Sequence, residues 1–304
     1  MNNLSPVKLP RLRHGVSGHL VVHSRGGIGN QLFCFLSALT RAEQLGCELL
    51  IDPFIHELTP ESPFRLTQIL HAANDELGHR VRVLSIPNRQ RHRAIRRMSI
   101  GRTCDYREPS SRFDSNFFSI AAGSCINGYF QSWKYLEHLS PETRLRVNAA
   151  VRALGVESPI PFGKCDIVIH LRRGDYLSAR NRKIHGVLGA GYYLAAVSFL
   201  RALGYAGAVW VIAETLPPDL EILEESLGMD VSFVCGQSVW TDLNLLTCAP
   251  ALILANSTFS WMGAWLGDQG RPIIAPRPWF RLSTNGCLDL IPPAWTRIDN
   301  DTWQ

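Results

Sequence analysis

Apolar and polar positions alternate along the second half of the chain in blocks that predict a regular succession of strands and helices. Short β-branched or apolar runs recur, and each is followed by a longer stretch with helical periodicity. Repeated units of this kind imply a parallel sheet with helices on both faces. The predicted strands are 166–170, 208–213, 231–234, 251–254 and 272–275, and the predicted helices are 192–203, 218–227, 242–248 and 257–266.

The first half begins with the same pattern and then becomes irregular. A strand over 20–23 runs into a glycine-rich turn and an amphipathic helix, which we expect Gly46 to end. Residues 47–52 predict a second strand, and 141–155 predict a helix further along. Between these two elements the periodicity is weak.

Proline and glycine between 158 and 163 mark the expected linker between two halves. The sequence therefore predicts an α/β protein with an N-terminal domain at 19–160 and a C-terminal domain at 164–290. We expect the C-terminal domain to carry the more regular parallel sheet.

Composition excludes several classes of protein. The 304 residues are 46% hydrophobic and 19% charged, which is typical of a globular chain and long enough for two cores. Eight cysteines occur without a C-x-x-C pair, so no zinc or redox motif is visible. The apolar runs are too short to span a bilayer and no secretory signal is apparent, so we expect a cytoplasmic protein.

The formal net charge is +5, and one stretch of the chain is strongly basic. Between Arg80 and Arg112 there are ten arginines and only two acidic residues, Asp105 and Glu108. This stretch is either a solvated face or a basic flap that contacts the inner face of a membrane or a lipid-linked acceptor. Net charge of this size suits an acidic ligand and does not by itself indicate a nucleic acid.

A charged cluster follows the strand at 166–170 without a spacer. Its members are His170, Arg172, Arg173 and Asp175. Ligands of open α/β sheets bind at the carboxyl ends of strands, and adjacent guanidinium groups offer forked donors to a phosphate-like anion. The alternative is a simple exit loop in which Arg173 is solvated and Arg172 pairs with Asp175.

Two strand-to-helix turns offer further polar groups. In the first half, Gly29, Asn30 and Gln31 lie in a turn that could present backbone amides to a ligand or could be a tight turn with no ligand. In the second half, Ser257 is a natural N-cap after Asn256, and its helix is either purely structural or the second half of a phosphate clamp.

A cluster of aromatic residues between 126 and 136 has two interpretations. Tyr129, Phe130, Trp133 and Tyr135 could face a sugar, although such clusters belong to the core more often.

Four motifs together resemble glycosyltransferase family 11, the α-1,2-fucosyltransferases. They are GGIGNQLF at 26–33, GYFQSWKYL at 128–136, HLRRGDY at 170–176 and NSTFSWMGAWLG at 256–267. The resemblance implies a GT-B-like architecture, in which two Rossmann-like domains face a cleft. The N-terminal domain with its GGIGNQ loop is then the acceptor side, and the C-terminal domain is the GDP-fucose side. It also implies GDP-fucose as donor, a galactose-containing glycan as acceptor, inversion at the anomeric carbon and no metal or other cofactor.

The resemblance also implies roles for individual residues. Arg172 corresponds to the arginine that holds the donor β-phosphate and stabilises departing GDP, and Arg173 and His170 correspond to its motif partners. Asn30 corresponds to the asparagine that reaches the sugar and phosphate, and Asp242 to the guanine-reading aspartate, although a lone aspartate could equally cap its own helix. The remaining expected substrate-binding residues are Gly29, Gln31, Asn256, Ser257, Thr258, Phe259 and Ser260.

Two departures from the family pattern limit the resemblance. Trp261-Met262 replaces the usual Trp-Trp pair, which we interpret as a packing change, and Glu214-Thr215-Leu216 replaces an acidic pair. The second departure leaves acceptor choice and the general base open. Asp175 is the candidate base, with orientation of the arginines by an ion pair as the alternative role.

The sequence supports other functions less well. A metal-dependent GT-A transferase would need an Asp-x-Asp motif after a central strand, and the only match is Asp299-Asn300-Asp301 at the C-terminus. A non-catalytic sugar- or nucleotide-binding protein of the same fold, a fucosyltransferase of α-1,6 or O-linked specificity and a nucleic-acid binder are the remaining alternatives.

Overall fold

The structure is a computed structural model that describes residues 18–73, 77, 80–84, 106–155, 160–216, 231–282, 289–300 and 303. The chain divides into two compact units, Met1–Thr143 and Arg144–Gln304. Each unit contains its own sheet, and the strand pairs recorded in both sheets are parallel. This confirms the predicted α/β class with two Rossmann-like units.

The sheet of the first unit has the strand order β3-β2-β1-β5-β4. Its strands are β1 (His19–His23), β2 (Glu48–Asp52), β3 (Val81–Val83), β4 (Tyr106–Arg107) and β5 (Cys125–Asn127). Its helices are α1 (Ile28–Leu45), α2 (Phe54–Leu58) and α3 (Leu66–Ala72), with short 3-10 helices at Ser115–Ser119 and Trp133–Tyr135. The short strands β3, β4 and β5 were not predicted, because two or three residues are too few to show a strand pattern.

Helix α1 supplies much of the first core. Leu32, Phe35, Leu36 and Leu39 are fully or almost fully buried, as their helical spacing predicts. Gly46 adopts a left-handed conformation with φ of 60° and its N–H donates to the Glu43 carbonyl at 3.1 Å, which confirms it as the helix stop.

The sheet of the second unit has the strand order β11-β10-β9-β6-β7-β8. Its strands are β6 (Ile167–Leu171), β7 (Val209–Ala213), β8 (Val231–Cys235), β9 (Leu252–Ile253), β10 (Ile273–Arg277) and β11 (Thr296–Asp299). Its helices are α4 (Pro141–Leu154), α5 (Ala179–Ile184), α6 (Ala190–Ala202), α7 (Val239–Cys248) and α8 (Thr258–Leu266), with a 3-10 helix at Gly174–Leu177. Every predicted strand of this half is present, whereas the predicted helix 218–227 lies outside the described residues.

Strand β6 lies at the centre of this sheet. Ile167, Ile169 and Leu171 point to one face and are buried in a core cluster together with Tyr193 and Val197 of helix α6. Because side chains alternate along a strand, His170 belongs to the other face. The last strand, β11, was missed because Thr296–Asp299 is half polar and short.

The boundary between the units differs from the predicted domain limits at 160 and 164. Helix α4 belongs to the second unit from Arg144 onward, where Arg144 donates to the Gly267 carbonyl at 2.7 Å and Asn148 to the Leu266 carbonyl at 3.1 Å. The C-terminal strand β11 extends the second unit beyond the predicted limit of 290.

The described residues bear on three further features of the chain: the basic stretch, the apolar runs and the cysteines. Residues 85–105 of the basic stretch lie outside the described part of the chain, so its contact with a membrane stays a prediction. No helix in the described ranges combines the length and apolar character needed to cross a bilayer. The six described cysteines form no disulfide with one another, and Cys34, Cys47 and Cys125 are buried.

Candidate functional site

The centre of the second sheet is a topological switch point. Strand β6 lies between β7 and β9, so the chain continues from β6 towards one edge and from β9 towards the other. In open parallel sheets the crevice at the carboxyl ends of two such strands is where ligands bind. The motif HLRRGDY ends β6 and the motif NSTFS follows β9, so the topology brings these two predicted segments together.

His170 occupies the penultimate position of β6. Its side chain is buried, and its ring centroid lies 5.5 Å from that of Phe259 in helix α8. Burial, with a smaller contribution from the Arg172 guanidinium, lowers the pKa of His170 to about 3, so the imidazole is neutral at physiological pH. Its Nδ1 atom is buried and has no hydrogen-bond partner among the described residues.

Arg172 is held by two carboxylates on the surface of this edge. Its Nη2 donates to Asp175 and its Nη1 to Glu214 at 3.3 Å, while its guanidinium carbon lies 5.4 Å from the centre of the Tyr176 ring. The Nε atom is buried and lacks a partner within the described ranges. Both carboxylates are more than half exposed, so a stronger anion could replace them at the guanidinium.

The exit-loop alternative is therefore half correct. Arg172 does pair with Asp175, as that alternative expected, but Arg173 is 3% exposed and is not solvated. Its Nη1 makes a long contact of 3.4 Å with the Arg172 carbonyl. Gly174, with φ of +31°, starts the tight 3-10 turn that follows.

The turn after β9 is built from buried polar side chains. Asn256 donates from Nδ2 to the His185 carbonyl at 2.9 Å, and the backbone carbonyl of Asn256 accepts from the Tyr176 hydroxyl at 3.0 Å. Ser257 caps helix α8, because its hydroxyl accepts from the Phe259 N–H at 3.3 Å, which confirms the predicted N-cap. Asn256 thus joins the segments that follow β6 and β9.

Serine and aromatic residues in the first turn of α8 point inward. The Ser260 hydroxyl donates to the carbonyl groups of Ala255 and Ser257, both at 3.1 Å, so its side chain fixes the turn itself. Thr258 is half-buried. Trp261 and Met262 are fully buried, as expected if the departure at this pair is a packing change.

Asp242 lies in the first turn of helix α7 but does not cap it. Ser238 is the N-cap, with its hydroxyl accepting from the Thr241 N–H at 3.1 Å, so the capping alternative for Asp242 is wrong. Burial, followed by the nearby Glu214 carboxylate, raises the pKa of Asp242 to about 7. Its Oδ1 atom is buried and has no partner in the part of the chain that the structure describes.

The glycine-rich turn of the first unit uses its side chains differently. Gln31 is fully buried and its amide makes three backbone hydrogen bonds of 2.9 Å, with Gly26 O, Pro63 O and Arg65 N. The Gln31 side chain therefore stabilises the turn through these bonds, whereas the resemblance implied a substrate-binding role for it. Asn30 is half-buried and its Oδ1 accepts from Gln131 at 2.8 Å, and Gly29 is buried in the first turn of α1.

Two residues that contribute to the second-unit edge were not predicted as site residues. Glu214 follows β7 directly, and both its contact with Arg172 and its effect on Asp242 depend on strand order. Tyr176 is the last residue of the HLRRGDY motif, and its ring stacks on His185 at 4.9 Å. Burial raises the pKa of Tyr176 to about 12, so it remains a hydroxyl donor.

By fold, the second unit is a doubly wound parallel α/β unit whose crevice carries arginines and a capped helix N-terminus. The family model for glycosyl transferase family 11 matches residues 99–285, more than half of the chain. The chain therefore belongs to glycosyl transferase family 11.

Individual relatives share less than a third of their aligned residues with this chain. An α-1,2-colitosyltransferase of Escherichia coli is 28% identical over 291 residues, covering 92% of this chain and 99% of the relative. Galactoside α-(1,2)-fucosyltransferase 1 of Homo sapiens is 26% identical over 272 residues, covering 84% and 68%. Among solved structures, an Arabidopsis thaliana FUT1 mutant in complex with GDP is 14% identical, with a TM-score of 0.47 over 90% of this chain and 74% of that one.

Proposed function

We propose that this glycosyltransferase moves L-fucose from GDP-fucose to the 2-hydroxyl of a galactoside within a glycan, with inversion at the anomeric carbon. Family membership supports glycosyl transfer, and the bacterial and the human relative are both named for α-1,2 linkage. The acceptor belongs to a surface polysaccharide, an O-antigen or a free oligosaccharide.

One observation carries the donor half of this proposal. Three buried polar atoms at the second-unit edge lack partners among the described residues: His170 Nδ1, Arg172 Nε and Asp242 Oδ1. Buried polar atoms are normally hydrogen-bonded, and an exception marks a place where a ligand completes the set. A carboxylate can accept from the N–H groups of a nucleobase, and an arginine can donate to a phosphate. Together they suit a nucleoside diphosphate.

The reaction requires charge to develop on the leaving group. The acceptor oxygen forms a bond to the anomeric carbon while the bond between that carbon and the β-phosphate oxygen breaks, so GDP leaves with the electron pair. We assign neutralisation of this charge to Arg172, supported by Arg173 and by the Ser257–Phe259 end of helix α8. These groups would replace a metal ion in that role.

The proton of the acceptor hydroxyl must also go to a base. Asp175 is the candidate, and its exposed carboxylate would first have to leave Arg172. Arrival of the diphosphate provides a reason for that exchange, because the guanidinium then gains a more highly charged partner. The alternative is a loose oxocarbenium-like state, in which Asp175 only orients Arg172.

A second donor is favoured by a specific observation. The relative that covers almost all of this chain is named a colitosyltransferase. Colitose is fucose without its 3-hydroxyl group, so a site that accepts one sugar needs only a small local change to favour the other. The two donors should therefore be compared directly.

Calorimetric titration of GDP into the full chain in excess EDTA, with UDP as control, tests the donor half first. We expect micromolar affinity for GDP and none measurable for UDP, followed by transfer from GDP-fucose or GDP-colitose to a β-galactoside. No GDP binding, or binding that needs Mn²⁺, would contradict the proposal. GDP binding without transfer to any acceptor would favour a non-catalytic protein, and transfer to N-acetylglucosamine or protein would indicate another linkage.

A further inference from the structure

Arg271 is a buried arginine of the second unit that none of the proposed donor contacts uses. It lies in the loop between helix α8 and strand β10 and is 9% exposed. Burial lowers the pKa of Arg271 to about 10, so the guanidinium still carries its charge at physiological pH. Burying a cation is costly unless its partners compensate for the lost water, so those partners indicate its role.

The partners of Arg271 are backbone carbonyl groups near the ends of two helices. Nη1 donates to Thr247 in the last turn of α7 at 3.0 Å and to the C-cap residue Ala249. Nη2 donates to Leu246 of α7 at 2.9 Å and to Gly263 of α8 at 3.1 Å. The carbonyl groups of a last helical turn carry partial negative charge, which stabilises a cation there. One side chain therefore joins α7 to α8.

The two helices also approach each other closely at this place. A Cβ added to Gly263 would lie 2.5 Å from the Cβ of Leu246. A Cβ added to Gly267 would lie 2.4 Å from Nη2 of Arg271 and 2.6 Å from the Thr247 carbonyl oxygen. Neither position accepts a larger side chain unless its neighbours move, so the packing at this end of the helix pair has little freedom.

The opposite ends of α7 and α8 carry the proposed donor contacts. The helices follow strands β8 and β9, so both begin at the carboxyl edge of the parallel sheet. Asp242, which we assign to guanine, is in the first turn of α7, and Ser257, whose turn we assign to the diphosphate, caps α8. The helices have ten and nine residues, or about 15 Å each, so a tilt at one end is transmitted to the other.

We propose that Arg271 is a positioning residue that fixes the spacing between the guanine-binding end of α7 and the diphosphate-binding end of α8. A ligand held at two points loses affinity when the points shift relative to each other, whereas a ligand held at one point does not. A displacement of about 1 Å is enough for a large loss. The inference rests on the proposed function, because GDP is the ligand that spans both ends.

Binding measurements on the full chain separate positioning from stability. The probes are GDP by calorimetry, and guanosine and inorganic pyrophosphate by ligand-observed NMR at millimolar concentration, since each of the last two needs only one helix end. The variants are Arg271→Lys, which keeps the charge without the fork of donors, and Gly267→Ala, whose Cβ displaces the guanidinium.

Arg201→Lys is the matched control. Arg201 donates from Nη1 to the carbonyl groups of Tyr205 at 2.8 Å and Gly207 at 2.7 Å, beyond the C-terminal end of α6. It therefore resembles Arg271 in binding backbone carbonyls after a helix, but α6 carries none of the proposed donor contacts. All variants are compared at a temperature at which circular dichroism shows them folded.

We expect GDP affinity to fall about tenfold or more in both Arg271→Lys and Gly267→Ala, while affinity for guanosine and for pyrophosphate stays within about twofold of wild type. Arg201→Lys should lower the melting temperature and leave all three affinities unchanged. An equal loss of all three ligands, or undiminished GDP affinity in both variants, would overturn the inference while leaving the proposed function intact. Wild-type protein that does not bind GDP would contradict the proposed function and the inference together.

Discussion

The two units carry the same kind of switch point but equip it with different chemistry. In the second unit the crevice beside β6 and β9 has two adjacent arginines, one of them held by exposed carboxylates, and three polar atoms without partners in the described residues. In the first unit the cavity beside β1 and β5 has two arginines, Arg25 and Arg107, a Glu108 carboxylate that accepts from two backbone amides and the exposed Tyr129 ring.

This difference shows how one sheet topology can present two different sets of polar groups. Strand order determines where a crevice forms, and the residues that directly follow the strands determine what it recognises. In the second unit two arginines and their exposed carboxylates lie beside a capped helix N-terminus, which suits a diphosphate, whereas the first unit adds an exposed aromatic ring to its charged side chains. The experiments below separate these assignments.

The largest expected effect is on transfer by Arg172→Ala. Removing a donor that stabilises the departing diphosphate should lower kcat by on the order of 10²- to 10³-fold, with the circular dichroism spectrum unchanged. Arg182→Ala, an exposed cation of the same unit, is the control and should retain activity. An Arg172→Ala enzyme with most of its activity would contradict the assignment of the leaving diphosphate to Arg172.

A smaller effect is expected at Gln31→Ala in the glycine-rich turn. The change leaves two backbone carbonyls and one N–H without their buried partner, so unfolding by urea should require about 2–4 kcal/mol less free energy. Gln44→Ala, on the exposed side of the same helix, should change stability by less than about 0.5 kcal/mol. A stable Gln31→Ala protein that has lost acceptor binding would instead make this residue part of a ligand site.

The pH dependence of GDP binding should show the smallest effect. The pKa of Asp242 is raised to about 7, so its carboxyl is mostly protonated at pH 6 and ionised at pH 8. Because only the ionised form can accept two N–H groups of guanine, affinity should rise about tenfold over this range. The raised pKa has the opposite effect on the free energy of unfolding in the absence of GDP. Ionising the buried Asp242 carboxyl is unfavourable, so the protein should lose stability as the pH rises through about 7.

Asp242→Asn provides the control for that profile. The variant should bind GDP weakly at every pH and should no longer lose stability as the pH rises through 7. A wild-type profile that is flat, or that keeps its slope in Asp242→Asn, would show that another group reads the base.

Local pattern alone determined much of this protein. Apolar runs of strand length, bounded by turn residues, identified every described strand from β6 to β10, since short runs of this kind are typical of strands buried in a sheet. Gly46 and Ser257 marked a helix end and a helix start through their own backbone and side-chain chemistry. The motifs that follow β6 and β9 also identified the candidate donor edge from local sequence, because charged and capping residues directly follow each strand.

Tertiary structure alone decided which polar groups meet. Gln31 fastens its turn because its partners come from residues 63 and 65, and Glu214 holds Arg172 because β7 lies beside β6. The cavity beside Tyr129 requires Arg25 and Glu108 from segments more than eighty positions apart in the chain. Such partners depend on strand order and register, which the hydrophobic pattern of a single strand does not encode.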